Sequence, residues 1–93
     1  MTAQSAESQI AELLGFLRDS RANVRAMAAE HVFGLTGSPE GLNSLAPTDV
    51  LVELVRVLNE EGEVGVKAAS SLVNLSSEER YSRGLIKKAS LLV

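Results

Sequence analysis

Cysteine is absent from the chain. That removes disulfide bridges and thiolate metal ligands together, and leaves the fold indifferent to a reducing compartment. Tryptophan is absent too, and aromatic residues make up only 3% of the sequence. A core must then come from leucine, valine and alanine, which suit closely packed helices. Nine basic residues against twelve acidic ones give a net charge of −3, with no long run of either sign. Tracking a phosphate backbone needs a clustered basic face, so nucleic acid is not an expected partner. The longest apolar stretches fall far short of the ~20 residues that a membrane span requires. Residues 1–8 have neither the basic start nor the apolar centre of a secretory signal. No membrane partner is expected, and the expected location is the cytoplasm, with the nucleus as a second compartment. With 93 residues there is room for one domain, which buries roughly 60–65% of its unfolded surface.

What is present is a pattern that occurs twice. Residues 64–76 place Val64, Ala68, Leu72 and Leu75 at helical spacing, and residues 24–36 place Val24, Ala28, Val32 and Leu35 the same way. Each pair is separated by 40 positions, and small residues, Ala28–Ala29 and Ala68–Ala69, sit where two helices would press together. A constant offset of that size predicts an all-α solenoid built from helical repeats.

Taken in order, residues 1–6 are expected to be a disordered end. Ile10, Leu13, Leu14 and Leu17 then form one face of a helix, with Gly15 as a tolerated defect inside it. Residues 19–23 form a turn in which Ser20 is the expected N-cap of a helix over 22–36. Met27 and His31 lie along one edge of that helix's stripe. Gly37 is expected to end it as a C′ glycine, Ser38 to cap the next helix and Pro39 to open it, giving a short helix over 39–45. Thr48 caps a further helix, with Asp49 in its first turn and a stripe of Leu51, Leu54, Val55 and Leu58. Leu13 matches Leu54, and Leu17 matches Leu58, at an offset of 41. Ser76 and Glu79 fit a capping box that starts another helix, which Gly84 interrupts. The expected core is Leu13, Leu17, Leu54, Leu58, Leu72 and Leu75.

A short helix, a helix with a Leu-x-x-Leu-Val stripe, and a third reading Val-x-x-x-Ala-Ala-x-x-Leu-x-Asn-Leu-Ser together resemble the armadillo repeat. The expected architecture is an armadillo- or HEAT-type right-handed α-solenoid of about two repeats, a fragment of a longer array. Residues 7–37 form a partial repeat, 38–76 a full one and 77–93 the start of a third. Residues 13–38, and above all Gly34-Leu35-Thr36-Gly37-Ser38, are similar to the N-terminal end of the Hgh family, the brain protein sixteen homologues. That resemblance implies a cytosolic adaptor cooperating with the group II chaperonin in folding translation elongation factor two. A generic armadillo module in trafficking or signalling is the alternative, and a small enzyme or metal-binding domain is the alternative from another class.

The residues give that last alternative little. His31 is the lone histidine and has no cysteine partner, and no carboxylate stands at readable spacing to orient it against Ser70 or Ser71. A core-edge histidine is the preferred account. Glu60, Glu61 and Glu63 lack the alternating oxygen ligands of a calcium loop and read as a solvated turn. No catalytic, cofactor-binding or metal-binding residue is assigned. Armadillo arrays line a concave groove with their third helices, and import receptors place tryptophan and asparagine there four residues apart. At those positions stand Ser70 and Asn74, and Glu30 and Gly34 in the earlier copy, so recognition of a basic localisation peptide is disfavoured. Asn74 either bonds a partner's backbone or caps its own helix. Met27, Glu30, His31, Lys67, Ser70, Ser71 and Asn74 are the expected protein-binding face. Leu85, Ile86, Leu91, Leu92 and Val93 form a separate apolar segment expected to support self-association.

Overall fold

A computed structural model describes residues 6–79 together with Tyr81 and Arg83. Among these the fold is all-helical, without strands: α1 is Ala6–Phe16, α2 Ala22–Leu35, α3 Pro39–Leu45, α4 Val50–Val57 and α5 Glu63–Ser76. Helical backbone resumes at Glu79, and Tyr81 and Arg83 share it. The broadest contact in the molecule joins α2 to α5; α4 packs on α5, α1 on α2, and α3 touches both α1 and α2. This layering is compatible with an α-solenoid. Residues 84–93, including the five apolar residues assigned to self-association, lie outside the described residues.

Local chemistry sets the helix ends. Ser38 is extended, its hydroxyl accepts a bond from the Gly41 amide at 3.0 Å, and Pro39 fills the first helical position. Asp49, and not Thr48, is the N-cap residue of α4; the Thr48 hydroxyl instead braces the preceding turn, donating to the Leu45 carbonyl and accepting from the Val50 amide. Three further caps are corrected. The carboxylate of Asp19, not Ser20, accepts the Arg21 amide at 2.8 Å, and Arg21 is the N-cap residue of α2 without a side-chain cap bond. The charge-assisted Asp19–Arg21 pair outcompetes a neutral serine hydroxyl. Gly37 does not adopt the left-handed conformation; among the described residues only Gly62 does, at φ +87°. Gly62 thus makes the sharp entry to α5, where a side chain would be strained. Ser76 is likewise not a cap, because it is the last residue of α5 and its hydroxyl donates back to the Val73 carbonyl.

The core is aliphatic, as the scarcity of aromatics requires. Leu17, Leu45, Leu54 and Leu75 are fully enclosed, with Ala28, Ala29, Val32 and Ala68 between them. Each enclosed leucine contributes about 1.5–3 kcal/mol of burial. Leu13 and Leu72 pack against this core but are only partly buried. Leu58 is corrected outright: α4 stops at Val57, and Leu58 stands 38% exposed as its C-cap. The buried stripe of α4 is Val50, Glu53, Leu54 and Val57, each one position earlier than expected. Ala69 is also exposed, whereas its counterpart Ala29 is buried. Tyr81 is buried, and its hydroxyl donates to the Leu42 carbonyl, tying the segment beyond α5 to α3.

Two glycines allow tight helix entries. A β-carbon on Gly65 would lie 1.9 Å from the Glu60 carbonyl oxygen, and one on Gly41 2.0 Å from that of Leu35. Nothing lies within 4 Å of the corresponding position at Gly15. Gly15→Ala should therefore raise stability by about 0.4–1 kcal/mol by restricting the unfolded chain, while Gly65→Ala should lower it. Leu75→Ala should cost about 2–5 kcal/mol and Leu58→Ala far less. Urea melts of the four variants check the order, and a stabilising Gly65→Ala would contradict the close approach.

Candidate interaction face

The α2–α5 contact organises the candidate residues. On α2, Ala29, Phe33 and Thr36 recur at i, i+4 and i+7, and on α5 Lys67, Ser71 and Asn74 do the same. The Lys67 ammonium sits 4.8 Å from the centre of the Phe33 ring, a cation–π contact. The Asn74 side-chain amide donates to the Thr36 hydroxyl at 2.9 Å, and that hydroxyl donates onward to the Phe33 carbonyl at 2.6 Å. Asn74 therefore links two helices of its own chain, a third outcome beside the two expected for it. Ser71 is fully buried, and its hydroxyl bonds back to the Lys67 carbonyl at 2.7 Å. Its place on the binding face is corrected: a small side chain is needed where the helices meet.

The remaining candidates divide between two places. Met27 and His31 are exposed on the other side of α2, where they line a hollow of about 460 Å³ with Phe16, Leu13 and Leu35. His31 is thus a surface residue and not a core-edge one. Glu30 is exposed, and Ser70 and Lys67 are half-buried. Of the seven, Glu30, Lys67 and Ser70 are therefore neither enclosed nor on the far side of α2.

Two Arg–Glu bridges, which sequence reading did not reveal, hold the first helix pair to the second. Arg18 clamps Glu53 through Nε and Nη2, the latter at 2.7 Å, and Arg25 clamps Glu60 through the same two nitrogens, with Nη2 at 2.6 Å. Both pairs span 35 residues, and bidentate geometry of this kind fixes orientation. Glu53 is buried, and the Arg18 guanidinium is pushed above its ordinary range, chiefly by its hydrogen bond to Glu53. Arg25 is shifted the same way by Glu60, and its Nη1 also donates to the Asp19 carbonyl at 2.7 Å. Glu60, expected in a solvated turn, is thus part of the inter-helix link. Asp19 receives the Arg21 side chain at 3.0 and 3.1 Å, and that bond, aided by the Arg21 amide, lowers its carboxyl to about 2. Among the described residues no three His, Cys, Asp or Glu side chains gather as metal ligands would, and no helix is long and apolar enough to cross a membrane.

Comparison with known proteins points to one group. The chain is 38% identical over 78 residues to Protein HGH1 homolog of Xenopus laevis and 42% identical over 78 residues to that of Xenopus tropicalis, in each case covering 81% of this chain and 22% of the relative. It is 33% identical over 89 residues to Protein HGH1 homolog of Danio rerio, covering 92% of this chain and 24% of the relative. The chain thus spans less than a quarter of the length of these curated relatives. These homologues support the Hgh family for this chain. No protein-family model and no solved structure matches it.

The Asp19 turn yields a pH prediction. Its carboxyl pKa falls from 3.8 to about 2 on folding, so its contribution to stability is complete above the unfolded value and disappears as pH drops through the folded one. Asp19→Asn should lower the melting temperature at neutral pH. The gap from wild type should close between about pH 4 and about pH 2. A gap that does not change with pH would show that the carboxylate charge contributes nothing there.

Proposed function

We propose that this chain is a non-catalytic protein-interaction scaffold of the armadillo type, acting in the cytoplasm as an adaptor between the group II chaperonin and translation elongation factor two. The observation that carries the reading is the 33–42% identity to proteins named Protein HGH1 homolog. The paired helices support it in kind, since α2 and α5 lie side by side, with Glu30 exposed on α2 and Lys67 and Ser70 half-buried on α5. Asn74 and Ser71 play no direct part in this reading, because both are engaged inside the chain. The absence of tryptophan leaves no stacking platform for a lysine stem, so the proposed partner surface is a folded protein and not a basic peptide.

The test is direct binding between purified components. The chain, immobilised, should bind purified elongation factor two or purified chaperonin saturably, and Glu30→Arg combined with Ser70→Arg should weaken that binding by about tenfold, some 1.4 kcal/mol. The double variant should melt like wild type, because neither side chain is in the core. Binding to neither protein would overturn the adaptor reading, and a generic armadillo module would then stand in its place.

A further inference from the structure

The packing of this chain gives Gly15 no reason to be glycine. A glycine inside a helix weakens it, and serves a fold where backbone approaches closely, as at Gly41 and Gly65, or where φ is positive, as at Gly62. Neither holds at Gly15. Its backbone is helical, and nothing lies within 4 Å of where a β-carbon would stand. What the missing side chain leaves is space.

That space belongs to a hollow of about 540 Å³, a volume ordinary for a ligand site. From one side α1 supplies Ala11, Leu14 and Gly15, and from the other the turn into α4 supplies Pro47, Thr48 and Asp49. None of the described residues lining it belongs to α2 or α5, so it is separate from the contact between those helices.

Charge decides what the hollow takes. Arg18 and Glu53 also line it, but Arg18 donates to Glu53 through both Nε and Nη2, so the pair presents no net charge. Asp49 differs. It is exposed, its carboxylate makes no cap bond to α4, and among the described residues it forms no ion pair. Asp49 acts on the Arg18 guanidinium only weakly beside Glu53. The one unmatched charge is therefore negative. The positive end of α4 lies at the same place and favours an anion, but an anion there would meet the carboxylates of both Asp49 and Glu53. Ala11, Leu14, Gly15 and Pro47 offer apolar contact to an alkyl chain, the other half of what a long basic side chain needs.

We propose that the hollow between α1 and α4 binds a lysine side chain of a protein partner, its stem along Leu14, Gly15 and Pro47 and its ammonium at Asp49. A single unmatched carboxylate suits one positive charge on a flexible stem, which a lysine has and a polyamine exceeds. Gly15 then has a role, since a larger residue would occupy the path of the stem. The site does not depend on which protein the rest of the chain engages.

The probe is n-butylammonium, the lysine side chain without its backbone, and the readout is the amide chemical shifts of the isotopically labelled chain. The ion should shift Ala11, Gly15, Thr48 and Asp49 saturably with a Kd of about 1–10 mM, and the blocked tripeptide Ala-Lys-Ala should shift the same amides. n-Butyrate, of the same length and opposite charge, should not. Gly15→Met should abolish the shifts while melting no lower than wild type, because its side chain enters open space and a helix-weakening residue is gone. Asp49→Asn should weaken binding about two- to fivefold at low salt, the scale of an exposed ion pair. No saturable shift, butyrate binding as well as butylammonium, shifts that survive Gly15→Met, or unchanged affinity in Asp49→Asn would overturn the site. Spermidine binding more than about tenfold tighter than the tripeptide would overturn its assignment to lysine.

Discussion

The close approach of α2 and α5 is the constraint on which the rest of the molecule rests. Helices separated by about 8–10 Å need small side chains wherever their axes cross, and here Ala29 and Ser71, both fully buried, occupy the facing stripes. Around them the contact is closed by directional bonds: Asn74 to Thr36 at one end and Lys67 over Phe33 further along. The aliphatic stripes of α1, packed on α2, and of α4, packed on α5, then join one core. Pulling the first helix pair away from the second would also take the Arg18 guanidinium from Glu53, which is buried on α4, and leave it only Arg56 at 3.7 Å.

The two Arg–Glu clamps and the two close-packed glycines act on that same contact. Arg18 and Arg25 are seven residues apart, as are Glu53 and Glu60, so the bridges fasten the first helix pair to the second at two points. Their geometry resists sliding more than it adds stability, since partly exposed ion pairs contribute little to folding. Gly41 and Gly65 bring the start of α3 and the start of α5 hard against the preceding carbonyls. Short connections follow from this, and with them the side-by-side placement of successive helices.

Much of this was legible because it is local. The boundaries of α3 follow from Ser38 and Pro39, and the pairing of α2 with α5 is implied by the 40-residue offset of their small and large residues. What escaped was long-range or depended on a shift of one residue. Glu53 and Glu60 look like ordinary helix-surface acids until the fold brings arginines to them. Val50 and Val57 are enclosed, whereas Leu51 is only partly buried against the core and Leu58 is exposed, because Asp49 starts α4 and fixes its rotation, and an eight-residue helix with apolar residues on most sides gives periodicity no purchase. Ser71 shows the same limit at the candidate face, since spacing could not tell a reachable serine from one that is buried because it is small. Met27, Glu30, His31, Lys67 and Ser70 were grouped through the resemblance to armadillo third helices, and none of them is buried; the resemblance to the Hgh family rests on residues 13–38, the stretch that contains α2.

If α2 and α5 are one structural unit, they open together. Native-state amide hydrogen exchange measures this most directly, because it assigns a free energy of opening to each helix. The amides of Ala28, Ala29 and Val32 should exchange with the same free energy as those of Ala68, Ser71 and Leu72, at the global unfolding value, and Asn74→Ala should lower both sets equally. An α2 that exchanges through a local opening well below the global value, while α5 remains protected, would contradict the account.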